Sequence, residues 1–242
     1  KFLLRKINVL KDDTLIPGSR YHNFKDFIFF PFIGTSSLRY KTQMPLPHKD
    51  LKTANSILSV LKKKDILLTY PYQQFSHIND LLREASIDPQ VESIKITLYR
   101  VAEHSNIINA LINGVKNGKS VTAVVELQAR FDEEANIQWA NKLQDEGVKV
   151  IFGVPGLKLH SKLFLITRKE GGTRMNFAHI GTGNFNENTA RIYSDFSLIT
   201  SDKRITNEVE KTFEFYYDNL KTSPHKHLMS SPFSMRKKFT SR

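Results

Sequence analysis

The stretch SIKITLYRVAEHSNIINALINGVKNGKSVTAVVELQ, residues 93–128, decides the fold. Its first eight residues set β-branched and apolar side chains in alternation, the period-2 pattern of a strand. Ile107, Ile108, Leu111, Ile112 and Val115 then recur on one helical face, with Ser105 placed to cap the start and Gly118 to end it. SVTAVVELQ at 120–128 is a strand again. The grammar continues downstream: DEEANIQWANKLQDEG reads as a helix from an Asp132 cap to a Gly147 stop, and VKVIFG as the next strand. Strand, helix, strand, helix, strand is the order of parallel α/β structure.

Working outward, KLFLITR, a KEGG turn, MNFAHIG and SDFSLIT read as further strands, and a helix over 202–218 closes the unit. Upstream, residues 49–64 and 73–86 carry helical patterns, with Pro45, Pro47 and Pro71 at the joins. The chain has 242 residues, 40% of them hydrophobic, enough to fill a core. It has no cysteine, which removes disulfides and every thiolate scheme and suits a reducing cytoplasm. The most apolar cluster, FIFFPFIG at 27–34, is far shorter than the roughly 18 residues a membrane-spanning helix needs. The opening KFLLRKINVL begins inside an apolar pattern and without methionine, so the chain reads as a piece of something longer.

A net charge of +12 suggests a polyanion as partner. The distribution localises that inference. Residues 1–69 hold 13 Lys and Arg against 5 acids and residues 201–242 hold 9 against 5, whereas residues 70–200 are balanced at 14 against 14. In that neutral middle, basic residues must act by position. PGLKLHSKLFLI at 155–166 sets His160 between Lys158 and Lys162. Side chains two apart share a strand face, so these three line one wall, while Leu157, Leu159, Leu163 and Leu165 are expected in the core. Arg100 ends the first strand and Arg130 lies just past the second, in phase with Glu126 and Gln128. Ligands of parallel α/β sheets bind beyond the carboxyl ends of strands. Two guanidinium groups and a Lys-His-Lys wall describe a pocket for an anion with several oxygens, phosphate foremost.

Other candidates read as structural. His179 in NFAHIG fits a core histidine, FDEE at 131–134 an acidic first helical turn, LKKKD at 61–65 a solvated face, and HKH at 225–227 a loop. GTGNFNENTAR at 181–191 is a Gly/Asn loop whose backbone N–H groups also suit phosphate.

His160-x-Lys162 followed by GTGN, ending in Asn184, resembles the His-Lys-Asn phosphate site of the phospholipase D superfamily. Thr167 stands where that pattern carries an aspartate. The divergent branch that this matches is polyphosphate kinase of the first type. IKITLYRVA, VVELQARFDEEANIQWA, PGLKLHSKLFLI, AHIGTGNFNENTARIYSDFSL and ITNEV resemble that family block by block and in order. The resemblance implies an α/β fold with a phospholipase D-like mixed sheet flanked by helices. It implies residues 1–46 as the end of a head domain, 47–227 as the first C-terminal catalytic domain, and 228–242 as the truncated start of the second. It further implies reversible transfer of the terminal phosphate of ATP to inorganic polyphosphate through a phosphohistidine on His160. Lys162 and Asn184 would cradle the phosphoryl group. Arg100, Arg130 and Lys158 would bind phosphate, and Tyr193 the nucleotide. Mg2+ is implied near Arg100 and Arg130, reached through phosphate oxygens because arginine cannot ligate a cation. Partners are then ATP, ADP and polyphosphate, with a homo-oligomer in the cytoplasm, no nucleic acid and no membrane span; the fragment alone is expected to be inactive. A phospholipase D-like phosphodiesterase and a noncatalytic polyanion-binding module are the alternatives.

Overall fold

The computed structural model describes residues 6, 24, 27, 30–41, 43–102, 104–129, 133–220 and 224–241. They fall into two compact units, residues 1–43 and 44–242. In the first, the 3₁₀ turn Ser36–Leu38 is followed by Arg39, whose guanidinium lies 3.7 Å from the centre of the Phe32 ring.

The second unit is built on seven strands. In chain order its elements are α1 (Ile57–Leu61), β1 (Ile66–Thr69), α2 (Ser76–Ile87), β2 (Val91–Leu98), α3 (Asn106–Lys116), β3 (Ser120–Val125), α4 (Glu133–Asp145), β4 (Lys149–Phe152), β5 (Lys162–Glu170), β6 (Thr173–Gly181), β7 (Phe196–Thr200), α5 (Lys203–Tyr217) and α6 (Met235–Thr240). The sheet order is β1-β7-β6-β5-β2-β3-β4. Only β2, β3 and β4 run parallel; β5, β6, β7 and β1 are joined antiparallel. This is the mixed α/β sheet flanked by helices that the family resemblance implies.

The capping signals work as expected. The Ser105 side chain accepts from the Ile108 N–H, and Gly118 and Gly147 stand just past their helices with φ of +75° and +85°. Such positive φ values favour glycine, which has no Cβ to clash. Asp132, the expected cap of α4, lies outside the described residues. The helix expected over 49–64 is reduced to Ile57–Leu61, because Ser56 caps a new start there, with its hydroxyl accepting from Ser59 N–H. Strand β1 carried no period-2 signal in ILLT and is held by pairing with β7.

Both faces of the central strands are covered. Ile94, Ile96, Phe164, Ile166 and Phe177 pack with residues of α1, α2, α3 and α4, whereas Leu163, Leu165, Ala178 and Val124 pack with Val209 and Phe213 of α5. A strand buried on both faces reads as a continuous apolar run. That explains why KLFLI does not alternate; Lys162 at its start is only 5% exposed.

Candidate active site

Strand direction gathers the site. β5 runs against β2, with Ile96 opposite Phe164, so residues preceding β5 lie beside those following β2. Lys162 pairs with Gly181 at the end of β6, and Gly181 with Ser197 near the start of β7. One end of the sheet therefore holds Tyr99 and Arg100, Glu126 and Gln128, the Lys158–Lys162 segment, the GTGN loop and Asp195.

The approach to β5 differs from the expected strand. Ladder pairing begins at Lys162, and Lys158–Ser161 is extended loop. Pro155 and Gly156, φ +76°, form a turn closed by Leu157 N–H on the Val154 carbonyl at 3.0 Å. Leu157, expected in the core, is 38% exposed because it ends that turn. Leu159, Leu163 and Leu165 are buried as expected. Side chains replace the missing ladder. The Thr97 hydroxyl donates to the Ser161 carbonyl at 2.8 Å and accepts the Leu163 N–H at 2.9 Å. The Glu126 carboxylate accepts the N–H groups of Leu159 at 2.7 Å and Gln128 at 2.9 Å. His160 is thereby fixed between two anchored neighbours.

The imidazole of His160 meets the Tyr99 ring edge-on, with centroids 4.9 Å apart and planes at 78°. The Lys162 ammonium donates to the His160 carbonyl oxygen. Partial burial, then Lys162, Lys158 and Arg100 in that order, hold the His160 pKa below the ordinary imidazole value. Burial pushes Lys162 down to about 8, with Asp195 opposing and Arg100 adding to the shift. A neutral imidazole in such a setting can act as a nucleophile, and cations around it can receive an anion.

The glycine loop has a steric reason. A Cβ on Gly183 would lie 2.5 Å from Asp195 Oδ2, and one on Gly181 would lie 2.7 Å from Cε1 of His179. Thr182 Oγ1 donates to Asp195 Oδ1 at 2.8 Å and accepts the Phe196 N–H at 2.9 Å. Asn184 follows, its buried Oδ1 without a hydrogen-bond partner among the described residues. Tyr193 is 61% exposed in the same connection. Arg130 lies outside the described residues. His179 is a core residue, stacked on Phe164.

Sequence reasoning missed three residues of this end. Tyr99 reads as one more strand residue. Asn136, 2% exposed on α4, donates to the carbonyls of both Tyr99 and Glu126 at 2.7 Å and ties β2 to β3. Asp195 becomes visible only through its approach to Gly183 and Lys162. Beside Lys158 opens a cleft of about 490 Å³ lined by Glu126, Gln128, Phe152, Pro155 and Leu157. Among the described residues no cluster of three or more His, Asp or Glu could hold a metal, and no helix is long and apolar enough to cross a membrane.

Residues 56–222 match the family model for polyphosphate kinase C-terminal domain 1. The polyphosphate kinase of Vibrio parahaemolyticus is 54% identical over 235 residues, 97% of this chain and 34% of that protein. The polyphosphate kinase of Escherichia coli is 52% identical over 237 residues, with the same coverage. The crystal structure of polyphosphate kinase from Porphyromonas gingivalis superposes with a TM-score of 0.76 at 36% identity, covering 93% of this chain and 38% of that one. The chain thus spans about a third of the length of these relatives.

Proposed function

The chain belongs to the polyphosphate kinase family, which it matches through C-terminal domain 1, and from that premise we propose that it supplies the phosphorylated histidine of an ATP:polyphosphate phosphotransferase. The observation that carries this reading is His160, poised between Lys158, Lys162 and Arg100 with its pKa held down. A neutral imidazole nitrogen attacks the terminal phosphorus of ATP. The phosphorus–nitrogen bond forms as the bond to the bridging oxygen breaks, and ADP leaves with that electron pair. A terminal oxygen of polyphosphate then attacks the same phosphorus, and the imidazole is released. Each step reverses, since phosphoimidazole and phosphoanhydride are close in transfer potential.

Lys158, Lys162 and Arg100 collect phosphoryl oxygens while raising the neutral fraction of His160, and Arg130 adds a further phosphate contact. Asn184 adds a donor, and Tyr193 contacts the nucleotide. The side chains at this end are mostly cationic and do not fit a directly held Mg2+. The ion would ride on the phosphate oxygens of ATP, where it offsets charge in the transfer. This reading keeps residues 47–227 as the first catalytic domain, after the end of a head domain and before the start of a second half. A homo-oligomer working in the cytoplasm completes it.

The test is incubation of the full-length protein with labelled ATP and Mg2+. We expect an acid-labile, alkali-stable label on His160 that is absent from His160→Ala. A label at wild-type level in that variant overturns the proposal, and turnover of phosphodiesters without label would favour a hydrolase. The 242 residues alone should synthesise little polyphosphate, since they carry one His-x-Lys motif where such sites use two facing halves.

A further inference from the structure

We infer that Tyr99 is a positioning residue, an aromatic platform that holds the cations of the site around His160 before any phosphate arrives. This rests on the reading of His160 as the reacting group. Three cations converge on one ring: Lys162 Nζ lies 5.1 Å from its centroid, Arg100 Cζ 5.6 Å and Lys158 Nζ 5.8 Å. All are within the roughly 6 Å at which a ring quadrupole attracts a cation. The same ring meets the His160 imidazole edge-on. Like charges gathered this closely repel, and Asp195 offsets part of that repulsion at Lys162. The π-face of Tyr99 therefore supplies attraction that these cations share.

The platform is itself held. Tyr99 follows β2 directly, and its carbonyl takes the Asn136 amide that also binds the Glu126 carbonyl. Asn136 thus locks the platform to the segment whose carboxylate anchors Leu159, the residue before His160. A side chain that only filled space here could be aliphatic. One that gathers charge must be aromatic and electron-rich.

Among the described residues the groups facing His160 are Lys158 and Lys162 from its own segment and Arg100 and Tyr99 from the end of β2. With the platform lost, the exposed Lys158 is no longer drawn in beside the ring, the cations are held less closely together, and the proton affinity of His160 rises. The experiment measures the rate of carbethoxylation of His160 by diethyl pyrocarbonate against pH, by peptide mapping of the full-length protein. Tyr99→Phe should titrate as wild type. Tyr99→Leu should titrate higher by about half a unit, so that below the midpoint reactivity falls about threefold. Phenylalanines of increasing ring fluorination at position 99 keep the shape, withdraw the quadrupole, and should shift the midpoint in graded steps. That series decides alone if Tyr99→Leu does not fold. Phe and Leu variants that titrate alike, or a flat fluorine series, overturn the inference. The readout needs no catalysis, so it stays separate from a failure of the phosphohistidine label in wild type.

Discussion

His179 makes the stability of this domain acid-sensitive by a calculable amount. Its ring stacks on Phe164 at 4.8 Å and 18°, lies 4.9 Å from Phe185, and shares a 2.8 Å hydrogen bond with Ser197 Oγ. Burial lowers its pKa to about 3, against an ordinary value near 6.5. The folded value lies below the unfolded one, so the unfolded chain takes up the proton first as pH falls. The stabilisation is complete above about 6.5 and is lost progressively toward about 3. Integrated from about pH 7 to about pH 5, the loss comes to about 2 kcal/mol. The figure depends little on the folded value, because pH 5 lies well above it. His179→Gln keeps a polar group for Ser197 and removes the titration. Urea unfolding at the two pH values should show wild type losing about 2 kcal/mol more than the variant. His77 and His160, also held below the ordinary value, titrate in both chains and cancel. Equal losses in the two proteins would refute the reasoning, since His179 would then protonate in place.

Two further substitutions probe the supports of the site. Gly183→Ala drives a methyl into Asp195, 2.5 Å from Oδ2, and should cost about 1–3 kcal/mol as overpacking. It should also slow labelling of His160, because the carboxylate that opposes the shift of Lys162 is displaced; unchanged melting would show that the loop relaxes freely. Glu126→Gln turns one of two acceptors into a donor facing a backbone N–H, at a cost of about 1–3 kcal/mol. Its labelling rate should fall while ATP affinity holds, and a normal rate would mean that Leu159 does not need this anchor to present His160.

What the sequence determined by itself is local. Alternation in SIKITLYR, the helical face from Ile107 to Val115 and the glycines at 118 and 147 place the βαβαβ frame with no long-range information, because strand and helix periods are set by backbone geometry. The Lys-His-Lys triplet and the GTGN loop were legible too, since spacing along an extended segment fixes which side chains share a face. Only the tertiary structure decided that β5 enters antiparallel to β2. KLFLI is apolar on both faces, and a strand buried on both sides carries no mark of direction or neighbour. That pairing brings His160 to Tyr99 and Arg100, 61 and 60 residues earlier in the chain, and turns Tyr99 from a strand-end aromatic into the centre of three cations. Asp195 and Asn136 were illegible for the same reason. Each acts through one contact with a group far away in sequence, and such a contact exists only once the chain has folded.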